Sequence, residues 1–366
     1  MKCVISKELL LNSVQKLNSI INITDTYPIT ENILFNINHS NPHLISTNLE
    51  LELIKKINCI KIYTPGKIMV SGKKILQIVR SFPKNSEIKI NIQNNMMQIK
   101  HQNIFFSLQA INNDNFPMFQ QESNMQIYNF QQKTFRNIIY NTHFAMAKQD
   151  IRHYLNGMNI KIQKNKIVSI TTDGYRMAIS MIQYEHNQEN ISIIIPRKTI
   201  LELIKILNNA DTICKIFIGK KIIQFHIDDY IISSKMIENK FPNYQNLLVN
   251  HFDYNISISK NKLKKSLNRS LILTNNKLNG VSINISNGVC TIHAQNENDE
   301  SIIEKFPVNY YDISIDLTIN IYYLLDVISV IETELINFFI QKNNSTIYIK
   351  DTQLYHSFYI IMPLIL

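Results

Sequence analysis

The sequence predicts an α+β protein made of three similar helix-plus-antiparallel-sheet domains, and three observations carry that prediction. First, basic amphipathic segments recur at Ser6–Leu17, Gln131–His143 and Ser259–Leu271. Each sets apolar residues at helical spacing: Leu10 with Val14, Phe135 with Ile139, Leu263 with Leu267. Second, another helical segment recurs at Lys73–Val79, Lys198–Ile204 and Tyr322–Ile328, where Leu76, Leu201 and Leu325 stand 125 and 124 residues apart. Third, the connections repeat on the same period. Phe116-Pro117 and Phe241-Pro242 are 125 residues apart, and Ser46-Thr47-Asn48-Leu49 is echoed by Thr171-Thr172-Asp173-Gly174 and Ala294-Gln295-Asn296-Glu297. Independent features that agree on one period define a repeat.

Each copy then reads as helix, strands, helix, strands, with domains over 1–124, 125–252 and 253–366. The strand segments alternate with period two, as in Glu87-Ile88-Lys89-Ile90-Asn91-Ile92 and Thr346-Ile347-Tyr348-Ile349-Lys350. Such alternation gives antiparallel sheets with one wet face and one face packed on helices. Glycine is scarce, at 7 residues, so turns lean on Asn and Asp. Asn156-Gly157, Asn279-Gly280, Asn287-Gly288 and Asp173-Gly174 are the sharpest hairpin signals. No Pro/Gly/Ser-rich linker separates the copies, which are expected to abut rigidly.

At 366 residues the chain is too long for one ordinary core, and its 45% hydrophobic content can fill several. The net charge of +10 suits a polyanionic partner, because lysines near phosphates gain affinity by releasing counterions. Cys3, Cys59, Cys214 and Cys290 are far apart and form no C-x-x-C, which argues for reduced thiols rather than a disulfide framework or zinc site. Charges at Lys2, Lys7 and Glu8 break the N-terminal apolar run too early for a signal peptide. The longest greasy stretch, Phe358–Leu366, is about half of what a membrane-spanning helix needs. A soluble, cytoplasmic protein without a membrane partner is expected.

Catalytic patterns are missing. Gly66 and Gly72-Lys73 resemble a phosphate loop, but the spacing is one residue too long and Lys74 replaces the hydroxyl that would hold magnesium. There is no H-E-x-x-H, no G-x-S-x-G and no carboxylate cluster of the two-metal kind. No cofactor and no catalytic residue is expected. Positive charge instead gathers on the repeated helices: Lys7, Lys16, Lys133 and Arg136 in the first set, Lys260, Lys262, Lys264, Lys265 and Arg269 in its third copy. The second set adds Lys73, Lys74, Arg80, Arg197, Lys198 and Lys205. Taken singly, a basic helix face is usually just solvated. Repeated on equivalent helices, it becomes a pseudo-symmetric basic surface suited to a duplex, gripping phosphates without reading bases.

Over its whole length the chain resembles the bacterial DNA polymerase III beta subunit, the replicative sliding clamp. The most specific stretches are Gln149-Asp150-Ile151-Arg152-His153-Tyr154-Leu155-Asn156-Gly157, Thr171-Thr172-Asp173-Gly174-Tyr175-Arg176-Met177-Ala178, Pro196-Arg197-Lys198, Phe241-Pro242-Asn243-Tyr244 and Met362-Pro363-Leu364. The resemblance implies a head-to-tail homodimeric ring, helices lining the hole, around double-stranded DNA. It implies no enzyme activity. The implied partners are the DNA polymerase III alpha subunit, the delta subunit of the clamp loader, and other polymerases and repair or ligation proteins. For DNA contact it points to Lys73, Lys148, Gln149, Arg152, Tyr154, Arg197 and Lys198. For a cleft that takes partner peptides it points to Leu155, Thr172, Gly174, Tyr175, Arg176, Met177, Pro242, Leu247, Asn320, Tyr323, Ile360, Ile361, Met362, Pro363 and Leu364. For the subunit interface it points to Lys74, Phe106 and Leu108 against Ile272, Leu273, Glu300 and Glu304 of the neighbour. The chain departs from the family pattern at Asn246 and Ile365, where relatives often have Arg, at Leu278 for an aromatic, and at Thr24 for a basic residue.

Two other readings compete with a topological clamp. A module gripping one face of the duplex would hold short linear DNA, and a nuclease would cut DNA with magnesium.

Overall fold

The computed structural model describes residues 1–21, 28–112, 115–120, 122–185, 189–249, 251–274, 279–342, 344–351 and 356–364. Thr24, Leu278 and Ile365 lie outside the described residues. The chain forms two compact units, Met1–Phe135 with Leu201–Met236, and Arg136–Ile200 with Ile237–Leu366.

All six helical segments form where the apolar spacing places them: α1 (Lys7–Asn18), α2 (Gly72–Ser81), α3 (Gln132–Tyr140), α4 (Arg197–Ile206), α5 (Lys260–Ser270) and α6 (Ile321–Val330). Their starts have local causes. Ser6 Oγ accepts the Leu9 N–H at 3.4 Å, Ser71 Oγ that of Lys74 at 3.5 Å, and Asn320 Oδ1 that of Tyr322 at 3.0 Å. Each cap satisfies a donor that a helix N-terminus leaves free. The apolar stripe of α1 is completely buried at Leu10, Val14 and Leu17, as is that of α5 at Leu263 and Leu267.

In the first unit, one sheet runs in the spatial order Lys61–Thr64, Lys2–Ser6, Glu87–Gln93, Met96–His101, Ile104–Gln109. The other has eight strands: Gln126–Gln131, Ile213–Ile218, Ile222–Ile227, Tyr230–Lys235, Leu51–Lys56, His43–Thr47, Asn32–Ile37 and Gly66–Ser71. Every pairing is antiparallel. Strands of two different repeats join in this larger sheet, where Ile232 faces Leu53 and Ser233 faces Glu52.

The second unit repeats the plan. Its eight-stranded sheet runs Ile191–Pro196, Gly157–Gln163, Lys166–Thr172, Arg176–Gln183, His356–Ile361, Asn344–Asp351, Leu335–Gln341, Tyr254–Ser259. A four-stranded sheet runs Ser301–Pro307, Val289–Gln295, Gly280–Ser286, Ile315–Asn320. The inter-repeat seam is the pairing of Arg176–Gln183 with His356–Ile361, which sets Met177 opposite Ile360. Pairing across repeats removes two sheet edges that would otherwise be open.

Two turn expectations hold and one does not. Asn287-Gly288 joins adjacent strands with φ of 48° and 76°, the left-handed pair a two-residue hairpin needs, and Gly174 turns at φ 95°. Asn156-Gly157 instead begins a strand that follows a helical turn, while Asn279-Gly280 opens the strand Gly280–Ser286 directly after residues that lie outside the described ones. Gly157 is required there by close approach, since a Cβ would stand 2.6 Å from the Ile195 carbonyl oxygen of the neighbouring strand. Among the described residues, no helix is long and apolar enough to cross a membrane.

Candidate functional site

The second unit holds a depression of about 190 Å³ at the seam between its two repeats. One wall begins at the turn after strand Lys166–Thr172. Thr172 Oγ1 accepts the Gly174 N–H at 3.1 Å and donates to the Arg176 carbonyl at 2.7 Å. Asp173 Oδ1 accepts the N–H groups of Tyr175 and Arg176 at 3.0 and 3.1 Å. These bonds fix the turn, leaving Tyr175 63% exposed while Arg176 folds inward.

Arg176 is the tie of that wall. Its guanidinium donates to Asp173 Oδ2 at 3.0 Å, Asp326 Oδ2 at 2.6 Å and the Phe144 carbonyl at 2.9 Å. It also lies 4.4 Å from the centre of the Tyr323 ring, a cation–π contact. Burial pushes the Tyr323 phenol above its ordinary pKa.

The floor and far wall are apolar. Leu155, Met177 and Ile360 are buried at its base, and Met362 is 37% exposed at the rim, its N–H bonded to the Tyr175 carbonyl at 3.0 Å. Pro242 and Leu247 close another side around the short turn Gln245–Leu247, which Asn243 starts by accepting the Gln245 N–H at 3.1 Å. Tyr244 is buried beneath, with the Lys161 ammonium 4.6 Å from its ring centre.

Of the sequence-derived cleft residues, Leu155, Thr172, Gly174, Arg176, Met177, Pro242, Leu247, Ile360 and Met362 thus surround one space. Tyr175 and Tyr323 flank Arg176 without lining it. Ile361 points into the core, fully buried. Asn320 caps α6, and Leu364 donates its N–H to the Thr318 carbonyl at 2.7 Å, which carries Pro363 and Leu364 along the four-stranded sheet. Asn246 is exposed beside Leu247. Asn243 and Tyr244 also line the space; their signal was the repeated Phe-Pro element that precedes them.

Arg152 and Tyr154, expected at DNA, line the depression as well. Arg152 pairs with Asp150 at 2.9 Å, and its guanidinium holds the Asp150 carboxyl down at about 2. Lys148 and Gln149 are exposed on the same loop, Gln149 in the left-handed region at φ 58°. Arg197 and Lys198 open α4; Arg197 donates to the Met146 carbonyl at 2.8 Å, and burial lowers its pKa. Lys73 is exposed in the first turn of α2, in the other unit.

Of the seven expected interface residues, Phe106, Leu108 and Glu304 lie on two sheet edges. Phe106 and Leu108 belong to the edge strand Ile104–Gln109, with Phe106 packed edge-on against Phe82 at 5.7 Å, and Lys74 is exposed on α2. Glu304 belongs to the edge strand Ser301–Pro307, where Arg269 of the same chain pairs with it; Glu300 precedes that strand. Ile272 is 78% exposed on the short turn Leu271–Leu273 after α5. Among the described residues, no group of three or more His, Cys, Asp and Glu side chains could hold a metal.

Models of the DNA polymerase III beta subunit match the chain along its length: the N-terminal domain over residues 1–120, the central domain over 129–243 and the C-terminal domain over 245–365. The chain is 36% identical over 364 residues to the beta sliding clamp of Buchnera aphidicola subsp. Rhopalosiphum padi and 28% identical to that of Escherichia coli K12, covering 100% of each chain. Its fold is similar to a crystal structure of the DNA polymerase III subunit beta of Pseudomonas aeruginosa, with a TM-score of 0.93, 30% identity and 100% coverage of both chains. A structure of the Pseudomonas aeruginosa clamp bound to griselimycin matches with a TM-score of 0.94.

Proposed function

The chain belongs to the DNA polymerase III beta subunit family, the sliding clamps, and on that premise we propose how its surfaces divide the work. As a clamp it is a non-catalytic processivity factor of DNA replication. It encircles duplex DNA without sequence specificity and tethers its polymerase through an apolar cleft.

We assign the cleft to the depression around Met177, Leu247, Ile360 and Met362. The observation that carries this assignment is a preformed apolar space bounded by Arg176 and two methionines, on a chain otherwise closed at that seam. Its volume suits one anchor side chain at a time, and a buried Leu or Phe contributes about 1.5–3 kcal/mol. Methionine walls adapt to several anchors, which favours a set of partners: the DNA polymerase III alpha subunit, the clamp-loader delta subunit, and other polymerases and repair or ligation proteins.

DNA contact is assigned to Lys73, Lys148, Gln149, Arg152, Tyr154, Arg197 and Lys198. Supporting this, α2, α4 and α5 carry no acid in their first turns and begin with Lys73-Lys74, Arg197-Lys198 and Lys260 with Lys262. Cations at a helix start, where the macrodipole is positive, together favour an anion at that end. The domains are taken as 1–124, 125–252 and 253–366, in line with three successive domain matches. The ring is a head-to-tail homodimer in which Lys74, Phe106 and Leu108 meet Ile272, Leu273, Glu300 and Glu304 of the second copy. Two unpaired edge strands bearing exposed Phe105 and Ile303 favour this joint. The working compartment is the cytoplasm.

The test is topological. Loaded on nicked circular DNA by a clamp loader, the protein should stay bound through gel filtration at high salt and be lost once the circle is linearised. Equal retention on both forms would replace enclosure with an ordinary DNA grip.

A further inference from the structure

The outer face of the five-stranded sheet carries a row of unneutralised positive charge. Antiparallel register sets Lys61 opposite Val4, Val4 opposite Lys89, and Lys89 opposite Lys100, so the row crosses four strands on one face. Three strand spacings make it about 14 Å long. All three lysines are exposed, while Val4 is buried between the stems beside it. Lys89 and Lys100 are directly opposed like charges, an arrangement that weakens a sheet. Among the described residues none of the three, nor Lys2 on the same face, makes an ion pair. Glu87 is the one acid on this face of these strands; it flanks the row two residues from Lys89 along the same strand, and makes no ion pair with it.

A second feature stands at the edge. Lys2 pairs with Thr64 and Cys3 with Ile62, so Tyr63 is an extra, bulged residue. Bulges re-aim side chains, and Tyr63 is 48% exposed with the Lys2 and Lys61 ammonium groups 5.3 and 4.8 Å from its ring centre. The result is an aromatic platform beside a line of cations.

We propose that this face binds single-stranded nucleic acid, with a base stacked on Tyr63 and successive phosphates along Lys61, Lys89 and Lys100. A strand-forming acidic peptide fits less well. It would add along the edge strand Lys61–Thr64 and meet Lys61 alone, whereas the charges run across the strands. A duplex matches the charge but offers no unstacked base for the ring. Single strands use both features, a phosphate at every step and a free base face. The site shares no residue with the cleft or with the residues assigned to duplex contact.

Fluorescence anisotropy of labelled oligo-dT with the full-length protein tests this over a salt series. Tyr63→Ala should weaken binding roughly fivefold or more. The double variant Lys89→Glu, Lys100→Glu should lower the salt slope by roughly 1.4, two phosphates at about 0.7 each. Both variants should bind a cleft peptide as the parent does, which reports that they are folded. Unchanged oligo-dT binding in either variant overturns the proposal. So does tighter binding of a duplex of equal length that ignores Tyr63, or displacement of oligo-dT by poly-glutamate at equal charge concentration.

Discussion

Replacing Arg176 by Met should loosen the cleft by a calculable amount. The native guanidinium makes three charge-assisted hydrogen bonds, to Asp173, Asp326 and the Phe144 carbonyl. At about 1.5–3 kcal/mol each, their simple total is roughly 4.5–9 kcal/mol. That figure overstates the loss. The Asp326 side chain is 42% exposed and regains water, and Met refills part of the volume. The Asp173 side chain is only 17% exposed and recovers less. A net cost of about 3 kcal/mol, the lower end for breaking a buried ion pair, is the expectation. In the equilibrium for opening the 173–176 turn this is roughly a hundredfold. Global unfolding is a poor gauge for a multidomain chain, so native-state amide exchange is the assay, read at Tyr175, Arg176 and Met362. Their protection should fall about a hundredfold while that of the α1 amides is unchanged, and cleft-peptide affinity should fall with it. Arg176→Lys should recover less than half, because one ammonium cannot serve three acceptors lying in different directions. Protection within threefold of the parent in Arg176→Met, or full recovery in Arg176→Lys, would refute the reasoning.

Three further outcomes are expected. Burial raises the Glu52 carboxyl to about 7 from 4.5, despite the opposing Phe119 N–H bond, so the folded chain holds a proton there that the unfolded chain has released. The stability this gives below pH 4.5 is therefore lost as pH rises to 7, and Glu52→Gln should flatten a slope of at most about 3 kcal/mol in the amide-exchange protection of the strand Leu51–Lys56 followed from pH 5 to 8. Removing Met362–Leu366 should abolish polymerase stimulation in a primer-extension assay while the dimer survives in sedimentation; persistent stimulation would move the cleft. Ile272→Ala with Leu273→Ala should sediment as monomers, and an unchanged dimer would move the interface.

The helices were legible because their signal is local. Leu10 and Val14 lie four residues apart, and burying them needs no knowledge of distant chain. The same holds for Asn287-Gly288, whose two left-handed residues sit between strands that are neighbours in sequence. Asn156-Gly157 carries an identical dipeptide in a different role, because its glycine answers to the Ile195 carbonyl rather than to a turn. The seam was not legible at all. No local pattern says that Met177 will face Ile360, or that Arg176 will reach Asp326 across 150 positions. The cleft therefore came from the family resemblance and not from residue chemistry. Arg152 and Tyr154 mark the limit of that route, since the motif that names them for DNA does not say that they line the depression.

The helix starts carry a cost that a bound anion would offset. A helix N-terminus favours an acid and disfavours a cation by about 0.3–1 kcal/mol in its first turn. Nevertheless α2, α4 and α5 each carry lysine or arginine in the first turn and hold no acid there. Two of those cations are partly absorbed by the fold, Arg197 by the Met146 carbonyl and Lys260 by the Ile331 carbonyl. Lys73, Lys74 and Lys262 remain exposed. A sequence shaped for stability alone would place Asp or Glu at such positions. Phosphates brought to the same ends would add favourable interactions with both the dipole and the side chains, which offset that cost. On the proposed DNA contacts, the charges that weaken the free helices would be the ones that strengthen the DNA-bound form. Contacts of that kind recognise charge and not base identity, so they would hold at each register along a duplex.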